Sequence, residues 1–248
     1  MKVRIWLITT LISTIPAWAQ DPSANTQLIL QRLVEADKRL ADWPELARYR
    51  NENARLVAPN AGEERVIFMG DSITDFWGRS EGSFFSDRRY INRGINGQTT
   101  AQMLVRFRPD VIALKPRAVV ILAGTNDIAG NTGGSSNSMI EDNLASMVDL
   151  AQGNNIKVVL ASLLPVNDYI QSYQTSRRPP QRILELNAWI KQFAQSRGLV
   201  YLDYYDAMLD ANNALKKELS GDGLHPNAAG YAVMLPLAQR AIDQALAH

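Results

Sequence analysis

The sequence predicts an α/β domain built on a parallel β-sheet that helices cover on both faces. Three observations favour it: short apolar runs recur along the chain, helical segments separate them, and polar turn segments follow several of the runs. Repetition of strand, helix and strand favours a parallel sheet with right-handed crossovers. A length of 248 residues suits one such domain, although two small domains would also fit.

The predicted strands are apolar runs rich in β-branched residues. They are nearly continuous rather than alternating, which is typical of strands buried on both faces. The strong runs are 66–69, 118–123, 158–161 and 199–202, with a weaker one at 90–92. The helical patterns between them cover 99–107, 138–152, 181–197 and 227–247.

The first 19 residues have the pattern of an export signal. Lys2 and Arg4 precede a short apolar stretch, and Ala17-Trp18-Ala19 fits a small-x-small cleavage site. Because the stretch is short for a bilayer span, cleavage is favoured over an uncleaved anchor. We therefore expect a signal peptide at 1–19, a helical arm and linker at 20–62, the main domain at 63–248, and a periplasmic or secreted protein.

Composition excludes several classes of function. The chain has no cysteine, which excludes disulfides, thiolate metal sites and a cysteine nucleophile. Its net charge is +1, and loss of Lys2 and Arg4 would leave one more acidic than basic residue. This balance favours neither a nucleic-acid partner nor an anionic membrane surface.

A serine follows the first predicted strand. Gly70 permits a tight turn, so Ser72 would begin the next helix with its hydroxyl facing a cleft. The segment is not the Gly-x-Ser-x-Gly elbow of α/β-hydrolases. Taken alone, it is better explained as a helix N-cap.

One histidine is the main candidate for a catalytic base. The chain has two histidines, and His248 is its last residue, which leaves His225 as the main candidate for an imidazole base. Asp222 lies near enough in sequence to orient the ring. The alternative is a surface loop with an incidental histidine.

Two further segments could donate hydrogen bonds to a developing negative charge. Gly94 follows the weak strand and could bring its N–H close to a ligand, and Asn126 follows the strongest strand and offers a neutral amide donor. Each segment alone would equally suit a turn or a helix cap.

Together these segments resemble the sequence blocks of the SGNH hydrolases, the GDSL esterase/lipase family. Gly70-Asp71-Ser72-Ile73 is similar to the first block, Gly94 matches the second, and the third and fifth correspond to Gly124-Thr125-Asn126-Asp127 and Asp222-Gly223-Leu224-His225-Pro226. The pattern is most similar to the bacterial branch near the platelet-activating-factor acetylhydrolase catalytic subunits. It implies a three-layer α/β/α sandwich with a flavodoxin-like sheet of strand order 2-1-3-4-5.

The resemblance also implies roles and a reaction. Ser72, His225 and Asp222 would be nucleophile, base and orienting acid, and Ser72, Gly94 and Asn126 would form the oxyanion hole. Neither a metal nor an organic cofactor is implied. The expected substrate is a small acyl ester, such as an acetyl group on carbohydrate, with a lysophospholipase, a thioesterase or a non-catalytic glycan-binding module as alternatives.

Overall fold

The computed structural model describes residues 22–60, 62–77, 79, 85 and 87–247. The predicted signal peptide and His248 lie outside these residues. The chain divides into two compact units, Met1–Trp43 and Pro44–His248. Residues 44–62, which the sequence analysis assigned to the arm, therefore belong to the same unit as the sheet.

The described part of the first unit contains helix α1, Pro22–Ala41. The second unit alternates strands with helices. Its strands are β1 Val66–Gly70, β2 Tyr90–Gly94, β3 Ala118–Leu122, β4 Lys157–Ala161 and β5 Val200–Leu202. Its α-helices are α2 Arg50–Arg55, α3 Ser72–Trp77, α4 Thr100–Asp110, α5 Thr125–Ile128, α6 Asn137–Gln152, α7 Gln174–Arg177, α8 Pro180–Ser196, α9 Tyr205–Met208 and α10 Ala228–Leu246.

The five strands form one parallel sheet in the order β2-β1-β3-β4-β5, which confirms the predicted topology. In the register of this sheet, Gly70 at the end of β1 lies between Gly94 of β2 and Leu122 of β3. Strand β2 extends two residues beyond the predicted run because Gly94 still pairs with β1. The loops after β1, β2 and β3 therefore leave the sheet at the same edge.

The sheet is buried on both faces. Ile67 and Met69 of β1 belong to one apolar cluster, with residues of α4, α6 and α8, whereas Val66 and Phe68 belong to the other, with α3 and α10. Burying an aliphatic or aromatic side chain of this size contributes roughly 1.5–3 kcal/mol. Two-sided burial explains why the strands are continuous apolar runs.

The segment before β1 covers the outer edge of the sheet. Tyr49 is buried, and its hydroxyl donates a hydrogen bond to the carbonyl of Gly94 on the edge strand β2. The guanidinium of Arg93 lies over the Tyr49 ring at 4.5 Å and donates to Asn53 Oδ1 at 2.8 Å. These contacts explain why residues from Pro44 onward belong to the sheet unit.

Candidate active site

Ser72 stands at the turn between β1 and α3. The turn requires glycine at position 70, because a Cβ there would lie 2.1 Å from Thr74 Oγ1. Asp71 shapes the turn by accepting a hydrogen bond from the Ile73 N–H at 3.0 Å. Ser72 is 2% exposed, and its own N–H has no acceptor among the described residues.

The structure brings Ser72, His225 and Asp222 together. His225 Nε2 lies 3.0 Å from Ser72 Oγ, and His225 Nδ1 lies 2.6 Å from Asp222 Oδ2. A carboxylate only accepts hydrogen bonds, so Nδ1 carries the ring proton and Nε2 faces the serine as an acceptor. This tautomer is the one that can take a proton from Ser72.

Asp222 is held as a carboxylate by its own loop. Burial raises the pKa of Asp222, but hydrogen bonds from the His225 ring and from the N–H groups of His225 and Leu224 outweigh it and hold that pKa below its ordinary value. The aspartate can therefore stabilise an imidazolium when His225 accepts a proton.

The loop that carries Asp222 and His225 rests on Asn167, a residue that the sequence analysis did not single out. The Asn167 N–H donates to the Gly223 carbonyl at 2.9 Å, and its side-chain amide donates to the Leu215 carbonyl at 2.6 Å. Gly223 has φ +81°, and a Cβ there would lie 2.2 Å from the Asn167 carbonyl oxygen. This close approach requires glycine between the acid and the base.

Asn126 lies at the start of α5, directly after β3. Its amide nitrogen donates to the carbonyl of Gln98 at 3.0 Å, and its amide oxygen accepts from Arg178 at 3.2 Å. An amide nitrogen has two N–H groups. One is used by Gln98, which leaves the second for a ligand.

Gly94 does not provide the free donor that the sequence analysis expected. Its N–H donates to Asn92 Oδ1 at 2.8 Å, and its carbonyl accepts from Tyr49. Glycine is needed there for packing, because a Cβ would lie 2.2 Å from the Asp75 nitrogen in α3. The N–H of Gly94 is thus not available to an oxyanion in this structure.

Gly97, in the loop after β2, has a free N–H instead. It has φ +79°, and its N–H has no acceptor among the described residues. It directly precedes Gln98, whose carbonyl accepts a hydrogen bond from the Asn126 amide at 3.0 Å. The sequence shows both glycines, but nothing in it indicates which N–H is free.

Two further aspartates of the matching blocks, Asp127 and Asp71, lie within the protein rather than facing a ligand. Asp127 accepts hydrogen bonds from the N–H of Thr100, at the start of α4, at 3.0 and 3.1 Å. Asp71 is buried beside Ser72. Within the described residues, no group of three or more histidine or acidic side chains could hold a metal ion.

Aromatic residues lie beside the loop that carries His225. The Phe76 ring lies against the His225 ring, with 5.1 Å between their centroids. In the connection after β4, Tyr169, Ile170 and Tyr173 are exposed. The next residue, Gln174, donates to the Asp222 carbonyl at 3.3 Å, which places this exposed apolar group close to the site.

Several known proteins are similar to this chain in sequence or structure. The chain is 44% identical to a GDSL-like lipase from Bacteroides thetaiotaomicron VPI-5482, a match that covers 82% of this chain and 99% of that chain with a TM-score of 0.77. It is 26% identical to an acetylxylan esterase from Geobacillus stearothermophilus over 69% of this chain and 90% of that enzyme. A shorter match, 31% identical, covers 37% of this chain and only 42% of an uncharacterized lipoprotein from Bacillus subtilis.

A family model also matches most of the chain. The model describes the GDSL-like lipase/acylhydrolase family and matches residues 68–233. That range holds Ser72, Gly94, Asn126, Asp222 and His225, the residues that the predicted resemblance rested on. By this match, the chain belongs to the GDSL-like lipase/acylhydrolase family.

Proposed function

We propose that the protein is an exported serine esterase that hydrolyses small acyl esters, with acetyl groups on carbohydrate as the substrate class. The observation that carries the proposal is the continuous chain of short contacts from Ser72 through His225 to Asp222, with lengths of 3.0 and 2.6 Å. A serine aligned with a neutral imidazole and a carboxylate is the arrangement that activates a hydroxyl for attack on a carbonyl.

In the acylation half of the reaction, Ser72 Oγ attacks the ester carbonyl carbon while its proton passes to His225 Nε2. The carbonyl π electrons move to oxygen and give a tetrahedral oxyanion. When this intermediate collapses, the bond to the leaving alcohol breaks and His225 gives its proton to the alcohol oxygen. In deacylation, water repeats the sequence and releases the acid and free Ser72.

The oxyanion would be bound by three neutral donors. These are the N–H of Ser72, the N–H of Gly97 and the second N–H of the Asn126 amide. Each is unpaired among the described residues, so none must break a protein hydrogen bond when the charge develops. Losing one such donor typically lowers turnover by roughly 100- to 1000-fold.

Two observations support a carbohydrate ester as substrate. The chain is similar over most of its length to an acetylxylan esterase. The connection after β4 also exposes Tyr169 and Tyr173 beside the catalytic loop, and aromatic rings offer flat apolar surfaces on which a sugar ring can lie.

Export is supported by the charge and hydropathy pattern of residues 1–19. None of the helices in the described residues is long and apolar enough to cross a bilayer. Cell fractionation with N-terminal sequencing tests this part of the proposal: a mature chain starting at Gln20 outside the cytoplasm supports export, and a cytoplasmic chain that retains Met1 contradicts it.

A substrate screen tests the activity. The mature protein should release acetate from acetylated xylo-oligosaccharides and hydrolyse p-nitrophenyl acetate, and the matched Ser72→Ala protein should do neither. Faster turnover of lysophospholipids or acyl thioesters would replace the substrate class while keeping the esterase chemistry. No serine-dependent turnover of any of these esters would contradict the proposed function.

A further inference from the structure

A buried arginine stands behind the oxyanion hole. Arg178 follows α7, in the connection between β4 and β5, and is only 4% exposed. Its three guanidinium nitrogens donate to three neutral oxygens: Thr125 Oγ1 at 3.1 Å, Gln174 Oε1 at 3.0 Å and Asn126 Oδ1 at 3.2 Å.

No carboxylate among the described residues forms an ion pair with this guanidinium. A buried cation without a directly paired anion is costly, because it loses hydration that a nearby charge would otherwise replace. Burial accordingly lowers the pKa of Arg178, as does the charge of Arg177, while the more distant Asp71 opposes them. The fold thus retains this cation at a cost in stability.

The guanidinium fixes which way the Asn126 amide faces. Arginine is a donor at every nitrogen and has no acceptor, so the Asn126 atom that contacts it must be the amide oxygen. The amide nitrogen must then lie on the other side, where it donates to the Gln98 carbonyl. The Gln98 carbonyl is an acceptor and holds the nitrogen from its own side, so without Arg178 this one contact would remain to orient the amide.

We propose that Arg178 is a positioning residue of the oxyanion hole, which acts by holding the Asn126 amide with its nitrogen available to the substrate. The inference rests on the proposed esterase function. Hydrogen bonding of the amide oxygen to a cation also polarises the amide, which makes its free N–H a stronger donor. Since the negative charge develops only in the tetrahedral intermediate and the transition states on either side of it, and not in the bound ester, the contribution belongs to kcat rather than to KM.

The test is a double-mutant cycle between Arg178→Met and Asn126→Ala, measured with p-nitrophenyl acetate. Arg178→Met should lower kcat by at least about tenfold with little change in KM, and by less than the roughly 100- to 1000-fold loss on removing the donor itself. In the Asn126→Ala background, the same change should have almost no further effect, because the group through which Arg178 acts is gone.

Arg182→Met is the matched control. Arg182 lies one turn further along, on α8, and donates to Asn137 Oδ1 and the Ser135 carbonyl, away from Asn126. This variant should keep the wild-type kcat. If Arg178→Met does not fold, as judged by circular dichroism, Arg178→Lys carries the same cycle, because lysine loses the planar fork but keeps the charge.

The outcomes separate the inference from the proposed function. A wild-type protein without Ser72-dependent turnover contradicts both. An active wild type with unchanged kcat in the Arg178 variant contradicts the inference alone. So do losses from Arg178 and Asn126 that multiply in the double variant, which would assign Arg178 a merely structural role.

Discussion

At the scale of single residues, Asp71 lies beside Ser72, the proposed nucleophile, but is buried in the protein interior. It is 1% exposed, and its Oδ2 has no hydrogen-bond partner in the described part of the chain. Burial raises the pKa of Asp71 to about 7, despite the opposing effects of the Ile73 N–H and the Arg178 charge. The folded protein therefore keeps this carboxyl protonated in weakly acidic solution.

This raised pKa predicts a pH dependence of stability. An unfolded chain loses the Asp71 proton near the ordinary value of 3.8, whereas the folded chain keeps it to about pH 7. Over that window the folded state binds more protons, so the contribution of Asp71 to the free energy of unfolding falls as pH rises. In Asp71→Asn, measured by urea unfolding at several pH values, the free energy of unfolding should decrease less steeply with pH. The exposed Asp142→Asn serves as control, and an unchanged slope in Asp71→Asn would rule out the assignment.

The two glycines after β2 show what a sequence can reveal at this scale. Both Gly94 and Gly97 stand in a segment rich in turn residues, and the sequence analysis chose the first. The structure shows that Gly94 is glycine because α3 packs against it, while Gly97 leaves its N–H unpaired. The Gly94 N–H is occupied by Asn92 Oδ1, and the identities of the turn residues alone do not indicate this contact.

At the scale of elements, the loop that carries Asp222 and His225, the proposed acid and base, is held by the connection after β4. Asn167 in that connection contacts Gly223 and Leu215, and Gln174 contacts Asp222. The same connection contributes Arg178 to the oxyanion side. One segment thus links the proposed general base, His225, to the proposed oxyanion donor Asn126.

Gly223→Ala tests this link. The new Cβ would lie 2.2 Å from the Asn167 carbonyl oxygen at a position with φ +81°, so the loop must shift. We expect a loss of about 1–3 kcal/mol in the free energy of unfolding and a fall in kcat as His225 moves away from Ser72. Gly221→Ala is the matched control, since a Cβ there meets nothing within 4 Å. Equal effects of the two variants would contradict the account.

The sequence predicted the strands and helices better than the residues that hold the site in place. The strands could be predicted because two-sided burial requires continuous apolar runs, and the helices because their apolar residues recur with helical periodicity. Ser72, Asn126 and His225 were visible because each directly follows a strand or precedes a helix. Asn167 and Arg178 were not, because their importance lies in contacts with residues about 50 positions away along the chain.

At the scale of the whole molecule, the sheet unit begins earlier than its first strand. Tyr49 and Asn53 pack against Gly94 and Arg93 on the edge strand β2, next to the loop that carries Gly97. The segment that contains them covers hydrogen-bonding groups that an edge strand would otherwise leave exposed. Residues 44–57 therefore stabilise the edge strand next to the site.

Truncation tests where this unit begins. The free energy of unfolding of a chain starting at Pro44 should lie within about 0.5 kcal/mol of that of a chain starting at Gln20, because the first unit ends at Trp43. A chain starting at Gly62 should have a free energy of unfolding lower by at least about 2 kcal/mol, since a buried aromatic residue alone contributes roughly that much. Equal stability of the two shorter chains would show that Tyr49 and its neighbours contribute nothing.

The central claim is that His225 and Asp222 activate the hydroxyl of Ser72. Covalent labelling with a fluorophosphonate, followed by mass spectrometry of the digested protein, tests it most directly, because the activated oxygen attacks phosphorus and expels fluoride. We expect one adduct, on Ser72, that forms much more slowly in His225→Ala. An adduct on another serine, or a rate unchanged by His225→Ala, would contradict it.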